Sequence, residues 1–85
     1  MNAEQMFKAL GYDRIESPFP DWIEYGIVEN RPMCSYFRFD TTYHQFGCAL
    51  EMMNWDDIQA VIMQMKELGW IDEILGEQNE TTSKN

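Results

Sequence analysis

Cys34, His44 and Cys48 have the widest chemical range in this chain, since a thiolate can attack or bind a metal and an imidazole can move a proton near neutral pH. Their spacing does not organise that chemistry. No CxxC or HxxxH pattern occurs, and a structural zinc takes four ligands. A cysteine–histidine nucleophile would need a third group to orient the ring and donors to receive an oxyanion, and no motif supplies them. Strand alternation points Cys34 outward and Cys48 inward, which disfavours a disulfide between them. Both read as free thiols, and His44 as a surface histidine on an edge strand. The acidic pairs Asp56–Asp57 and Asp72–Glu73 are adjacent in sequence. Helical neighbours diverge by about 100 degrees, so neither pair converges on a substrate or an ion. There is no glycine-rich phosphate loop, nucleophile elbow or calcium loop. The expectation is a protein that is not an enzyme and holds no cofactor or metal. Met52, Met53, Met63 and Met65 suit a plastic groove but read as core filler, the commoner use of methionine.

The elements that position these residues are easier to read. Asn54 to Trp70 carries a start, a stripe and a stop. Asn54 is a strong N-cap, Asp57 is placed to complete a capping box, and Asp56 with Asp57 suits the positive end of the helix dipole. Trp55, Ile58, Val61, Ile62, Met65 and Leu68 recur at helical spacing and predict the buried stripe. Lys66, Gly69 and Trp70 give the stop, with Gly69 left-handed and Trp70 folding back near Met65. Asn2 caps a shorter helix over Ala3 to Leu10, with Met6, Phe7 and Leu10 as its apolar face and Gly11 as its end. Residues 13 to 20 contain Pro18 and Pro20 and read as a connecting loop.

Three segments of period two follow: Trp22 to Glu29, Cys34 to Asp40, and Tyr43 to Glu51. Joining their apolar faces through the loop Asn30–Arg31–Pro32 pairs Tyr25 with Phe37, sets Glu24 opposite Arg38, and sets Tyr36 opposite Gly26. A tight turn at Thr41 and Thr42 aligns Phe46 with Phe37 and sends Phe46, Cys48 and Leu50 to the core. The predicted fold is α+β: a short N-terminal helix, a three-stranded antiparallel meander, and a long C-terminal helix packed on one sheet face. Nothing remains to cover the other face. That face carries Trp22, Glu24, Tyr36, Arg38, Tyr43 and Gln45, a mixture of rings and an arginine of the kind favoured at interface centres.

Composition bounds the partners. Eighty-five residues make one domain. We place it at residues 1–75, followed by a disordered polar tail at 76–85. Fifteen acids against six bases give a net charge of −9. That field disfavours direct contact with nucleic acid or a membrane surface and favours a basic protein partner. The N-terminus has no basic region leading into an apolar run, and no stretch approaches the roughly 18 apolar residues of a membrane span. The expected compartment is the cytoplasm.

Met6, Phe7, Leu10, Gly11 and Tyr12 at the front, with the segment from Asp57 to Trp70 behind, resemble small uncharacterised proteins encoded in phages and prophages of Gram-positive bacteria. The resemblance covers about residues 1 to 70 and departs at Asp57, Val61 and the tail, where the family pattern has glutamate, isoleucine and no extension. It implies a helix–meander–helix fold and a phage origin inside a bacterial host cell, and it carries no activity or site residues. The expected role is a non-enzymatic accessory protein that binds a host or phage protein. The alternative is an acidic DNA mimic that inhibits a nucleic-acid-binding defence or transcription protein, of the anti-restriction or anti-CRISPR type. Pairing of two copies through sheet faces or edges is a third expectation.

Overall fold

The computed structural model describes residues 1–27 and 34–71, and Cys34 by its backbone alone. The loop Asn30–Arg31–Pro32, the end of the domain at Leu75 and the tail over 76–85 lie outside the described residues. The elements run α1 (Ala3–Ala9), β1 (Asp13–Ile15), β2 (Trp22–Ile27), β3 (Cys34–Asp40), β4 (Gln45–Cys48) and α2 (Trp55–Glu67). The strands form one antiparallel sheet in the order β1-β2-β3-β4.

Both helices are opened and closed by the same devices. Asn2 Oδ1 accepts from the Gln5 N–H at 2.8 Å and Asn54 Oδ1 from the Asp57 N–H at 2.9 Å, while the Gln5 and Asp57 side chains accept from the cap residues in return. At the other ends Gly11 and Gly69 take φ of 96° and 81°. The N–H of Tyr12 donates to Phe7 O at 2.9 Å, and that of Trp70 to Met65 O at 2.8 Å. This closure turns each following ring back onto the apolar side of its helix. Tyr12 meets Phe37 edge-on at 5.0 Å and Trp70 lies 6.2 Å from Phe39. The second helix also caps the first, since Glu67 Oε2 accepts from the Ala3 N–H at 2.7 Å.

The core lies between the helices and one face of the sheet. Phe7, Tyr25, Phe37, Phe39, Ala60 and Val61 are buried together. Phe7 stacks on Tyr25 at 4.0 Å, and the Tyr25 hydroxyl donates to Gln64 Oε1 at 2.6 Å. That bond changes the facing of α2. Of the expected stripe Val61, Met65 and Leu68 pack on the core, but the fully buried line is Asp57, Ala60, Val61 and Gln64, and Trp55 stands 64% exposed. A polar side chain belongs on the buried face here because a buried hydroxyl needs an acceptor. Met53 and Met65 pack on the core as filler, whereas Met52 is exposed.

Several expectations are corrected by the fold. The sheet has four strands, not three, because Asp13–Ile15 precedes the two prolines and pairs with Glu24 to Gly26, burying Ile15. The C-terminal helix is short, thirteen residues from Trp55 to Glu67, although its stop at a left-handed Gly69 is the expected one. Phe46 pairs with Phe39, not with Phe37. The cause is a four-residue turn at 41–44 in place of a two-residue one: Asp40 Oδ1 accepts from the Thr42 and Tyr43 N–H groups, Thr42 Oγ1 donates to Asp21, and His44 turns the chain at φ 55°. His44 is therefore a turn residue and stacks on Trp70 at 5.2 Å. Tyr36 does not lie opposite Gly26. A bulge between Tyr25 and Gly26 pairs Gly26 with Ser35, leaves Tyr36 as the extra residue, and brings its ring edge-on to Tyr12 at 5.8 Å. The pairs Tyr25–Phe37 and Glu24–Arg38 stand as expected.

Two outcomes follow. In urea unfolding, Gly11→Ala and Gly69→Ala each cost about 1 kcal/mol, because each forces a Cβ into the left-handed region. Gly47→Ala instead leaves stability unchanged or raises it by about 0.5 kcal/mol, since a Cβ there meets nothing within 4 Å and its φ is not positive. Burial pushes the Tyr25 hydroxyl from 10.0 up to about 12, against a smaller opposing effect of Arg14. The fold thus favours the protonated phenol, and its contribution is intact below pH 10 and lost as pH rises from 10 towards 12. Stability measured across that range falls in the parent, and the part of the slope due to Tyr25 disappears in Tyr25→Phe.

Candidate functional site

The face of the sheet turned away from both helices takes every second residue of β2, β3 and β4. Ladder pairing sets Trp22 beside Asp40 and Gln45, and Glu24 beside Arg38 and Gly47. The Arg38 guanidinium lies 5.4 Å from the Trp22 ring, and its Nε is 3.7 Å from Glu24 Oε1. The arginine is therefore laid flat along the face and not extended into solvent. Phe19, from the segment between β1 and β2, tilts against Trp22 at 4.7 Å. The same segment brings Ser17 Oγ to within 2.5 Å of Glu24 Oε2, to which it donates. Shallow hollows flank Arg38: one lined by Tyr36, Gly47 and Cys48, the other by Trp22, Asp40 and Gln45.

The six residues expected on this face do not form one continuous patch. Trp22, Arg38 and Gln45 stand together on it. Glu24 sits among them but is only 6% exposed, with Ser17 on one oxygen of its carboxylate and Arg38 beside the other. The expected bare face is thus partly covered by residues 17–19. Tyr36 is half-buried beside Tyr12, and Tyr43 is 74% exposed in the turn at the sheet's end. Sequence reading missed Phe19, which adds a second ring beside Trp22. Its signal was a lone aromatic between Pro18 and Pro20, placed where backbone stiffness can hold it out.

Candidate chemistry elsewhere stays dispersed. The Cys34 side chain lies outside the described residues. Cys48 is a half-buried free thiol whose sulfur accepts from the Leu50 N–H at 3.4 Å. Burial, helped by Asp57, Tyr36 and Cys48, raises the Tyr12 hydroxyl above its ordinary range. Among the described residues, no three His, Cys, Asp or Glu side chains converge where they could share a metal ion. No described helix is long and apolar enough to cross a membrane. The chain matches no protein-family model, no curated protein and no solved structure.

The buried carboxylate makes this face sensitive to Ser17. Ser17→Ala removes the short bond to Glu24 and destabilises the protein by about 1 to 2 kcal/mol. Arg38→Ala, at a half-exposed ion pair, costs less than about 1 kcal/mol. Chemical denaturation of the two variants gives that order, and the reverse order would mean that Arg38, not the loop, holds Glu24 in place.

Proposed function

We propose that this is a non-enzymatic phage or prophage accessory protein that acts by binding a host or phage protein through the outer face of its sheet. The observation that carries this reading is the one-sidedness of the fold. Both helices and the core lie on one face, while Phe19, Trp22, Arg38 and Gln45 stand on the other. Rings and an arginine bury much area at low entropy cost, which is why interface centres favour them. Here Arg38 is held in place before any partner arrives by Trp22 and Glu24, which lowers the ordering cost of binding. The charge of −9 favours a basic partner and quickens its approach. The phage-like segments around Leu10–Gly11–Tyr12 and Leu68–Gly69–Trp70 support a setting in the cytoplasm of a bacterial host.

The alternative, an acidic mimic of DNA, rests on the same charge and draws less from the geometry. A mimic needs carboxylates arrayed along one surface at phosphate-like spacing. Asp57 is taken up by the α2 cap, Glu67 by the α1 N-terminus, Asp40 by the 41–44 turn and Glu24 by Ser17. Glu4, Glu16, Glu51 and Asp56 remain exposed, on α1, on the segment after β1, after β4 and on α2.

Affinity capture from bacterial lysate separates the two. A protein held by the sheet face is retained by the parent chain and lost by the double variant Trp22→Ala, Arg38→Ala, with modest sensitivity to salt. Capture that survives the double variant but collapses with added salt would replace face binding with mimicry.

A further inference from the structure

The two edges of the sheet are unlike each other. β1 is three residues long, carries Asp13 and Arg14, packs against α1, and is followed within three residues by Pro18. Short length, charge and proline are the devices that stop an edge from pairing. β4, four residues long, reads Gln45–Phe46–Gly47–Cys48 and carries neither charge nor proline. No described strand pairs with its outer side.

The phase of the ladder says which groups that edge presents. Ala49 N–H donates to Tyr36 O at 2.9 Å, in step with the pairs Arg38–Gly47 and Asp40–Gln45. In an antiparallel pair the bonded residues alternate, so Gln45, Gly47 and Ala49 turn their backbone groups towards β3. Phe46 and Cys48 turn their N–H and C=O groups the other way, off the sheet. The bond from Thr41 N–H to Asp21 O at 2.9 Å fixes the complementary phase on the β2 side of β3 and agrees. Between the two outward-facing backbone pairs stands Gly47, with open space where a side chain would be and Arg38 beside it on the outer face.

We infer that β4 is a strand-addition site for an extended basic segment of a partner protein, which pairs antiparallel with Phe46 and Cys48 and lays a large aromatic side chain over Gly47. The inference rests on the protein-binding reading above and gives its mode. Main-chain bonds supply affinity and alternate side chains supply specificity in such docking. The residue of the added strand opposite Gly47 faces outward, and an aromatic there shields an edge glycine and lies within reach of the Arg38 guanidinium. Its inward neighbours meet the apolar side of the sheet beside Phe46 and Cys48, so they are apolar. A second copy fits this edge poorly. Antiparallel pairing of Gln45–Cys48 with itself in the phase that leaves Gly47 outward places only Gln45 or Gly47 opposite Gly47, and each copy brings a charge of −9. The charge is complementary to a basic strand.

The test uses the full chain and a synthetic peptide of alternating valines and lysines with a central tyrosine, read by amide hydrogen exchange and sedimentation. The expected result is a monomer in which the peptide slows exchange of the Phe46 and Cys48 amides by roughly tenfold or more and leaves Gly47, already bonded to β3, little changed. Gly47→Thr fills the open space without straining the chain and weakens the peptide by roughly tenfold, as do N-methylation of its pairing amides and replacement of its lysines by glutamate. A peptide that shifts Trp22 and Arg38 without slowing Phe46 and Cys48 overturns strand addition and leaves the face reading standing. A dimer that already protects those two amides, or a peptide that does not bind, overturns the proposal outright.

Discussion

The stack of Phe7 on Tyr25, closed by the hydroxyl bond from Tyr25 to Gln64, sets the orientation of everything else. It joins α1, the second strand and α2 at one point, and does so on one face of the sheet. A buried hydroxyl that loses its acceptor costs more than the bond is worth when made, so α2 is held to one rotation about its axis. That rotation buries Asp57, Ala60, Val61 and Gln64 and leaves Trp55 outside. It also carries the helix end round so that Trp70 meets Phe39 and His44. Both helices are committed to this contact, so among the described residues they seal the same side of the sheet.

The opposite face is tied down by smaller means. Ser17 and Phe19 fold over from the first inter-strand segment, Glu24 is buried between Ser17 and Arg38, and Arg38 lies along Trp22. These contacts give the outer face a partly aromatic surface with shallow hollows on either side of Arg38. Among the described residues, the Cys48 thiol, the His44 ring and the carboxylates of Asp13, Asp21, Glu24, Asp40, Asp57 and Glu67 are each engaged separately, in turns, caps, an ion pair or a stack. β4, the bonded neighbour of β3, lies at the edge of the same sheet, and no described strand pairs with its outer side.

The helices were legible because their signals are local. Asn2 and Asn54 cap, Gly11 and Gly69 close, and each lies within a turn of what it acts on. Strand parity was legible for the same reason, so Tyr25, Phe37 and Phe39 face the core as their alternation requires. What could not be read depends on contacts distant in the chain. The rotation of α2 follows from a hydroxyl thirty-nine residues away. The bulge at Tyr36 follows from the room beside Tyr12, and the long 41–44 turn from the reach of Thr42 to Asp21. The partial cover over Glu24 was missed because two prolines mark where regular structure stops and say nothing of where the chain goes next. Of the candidate face, Trp22, Arg38 and Gln45 were found by alternation, and Phe19 was not.

The sharpest single measurement is solvent paramagnetic relaxation of the free protein in solution. Strong relaxation at Arg38, Gln45 and Gly47, beside weak relaxation at Tyr25, Phe37 and Phe39, is the result expected of a sheet sealed on one side alone. Equal shielding of both sets would mean that the outer face is covered by the chain itself, and a docking role for it would fall.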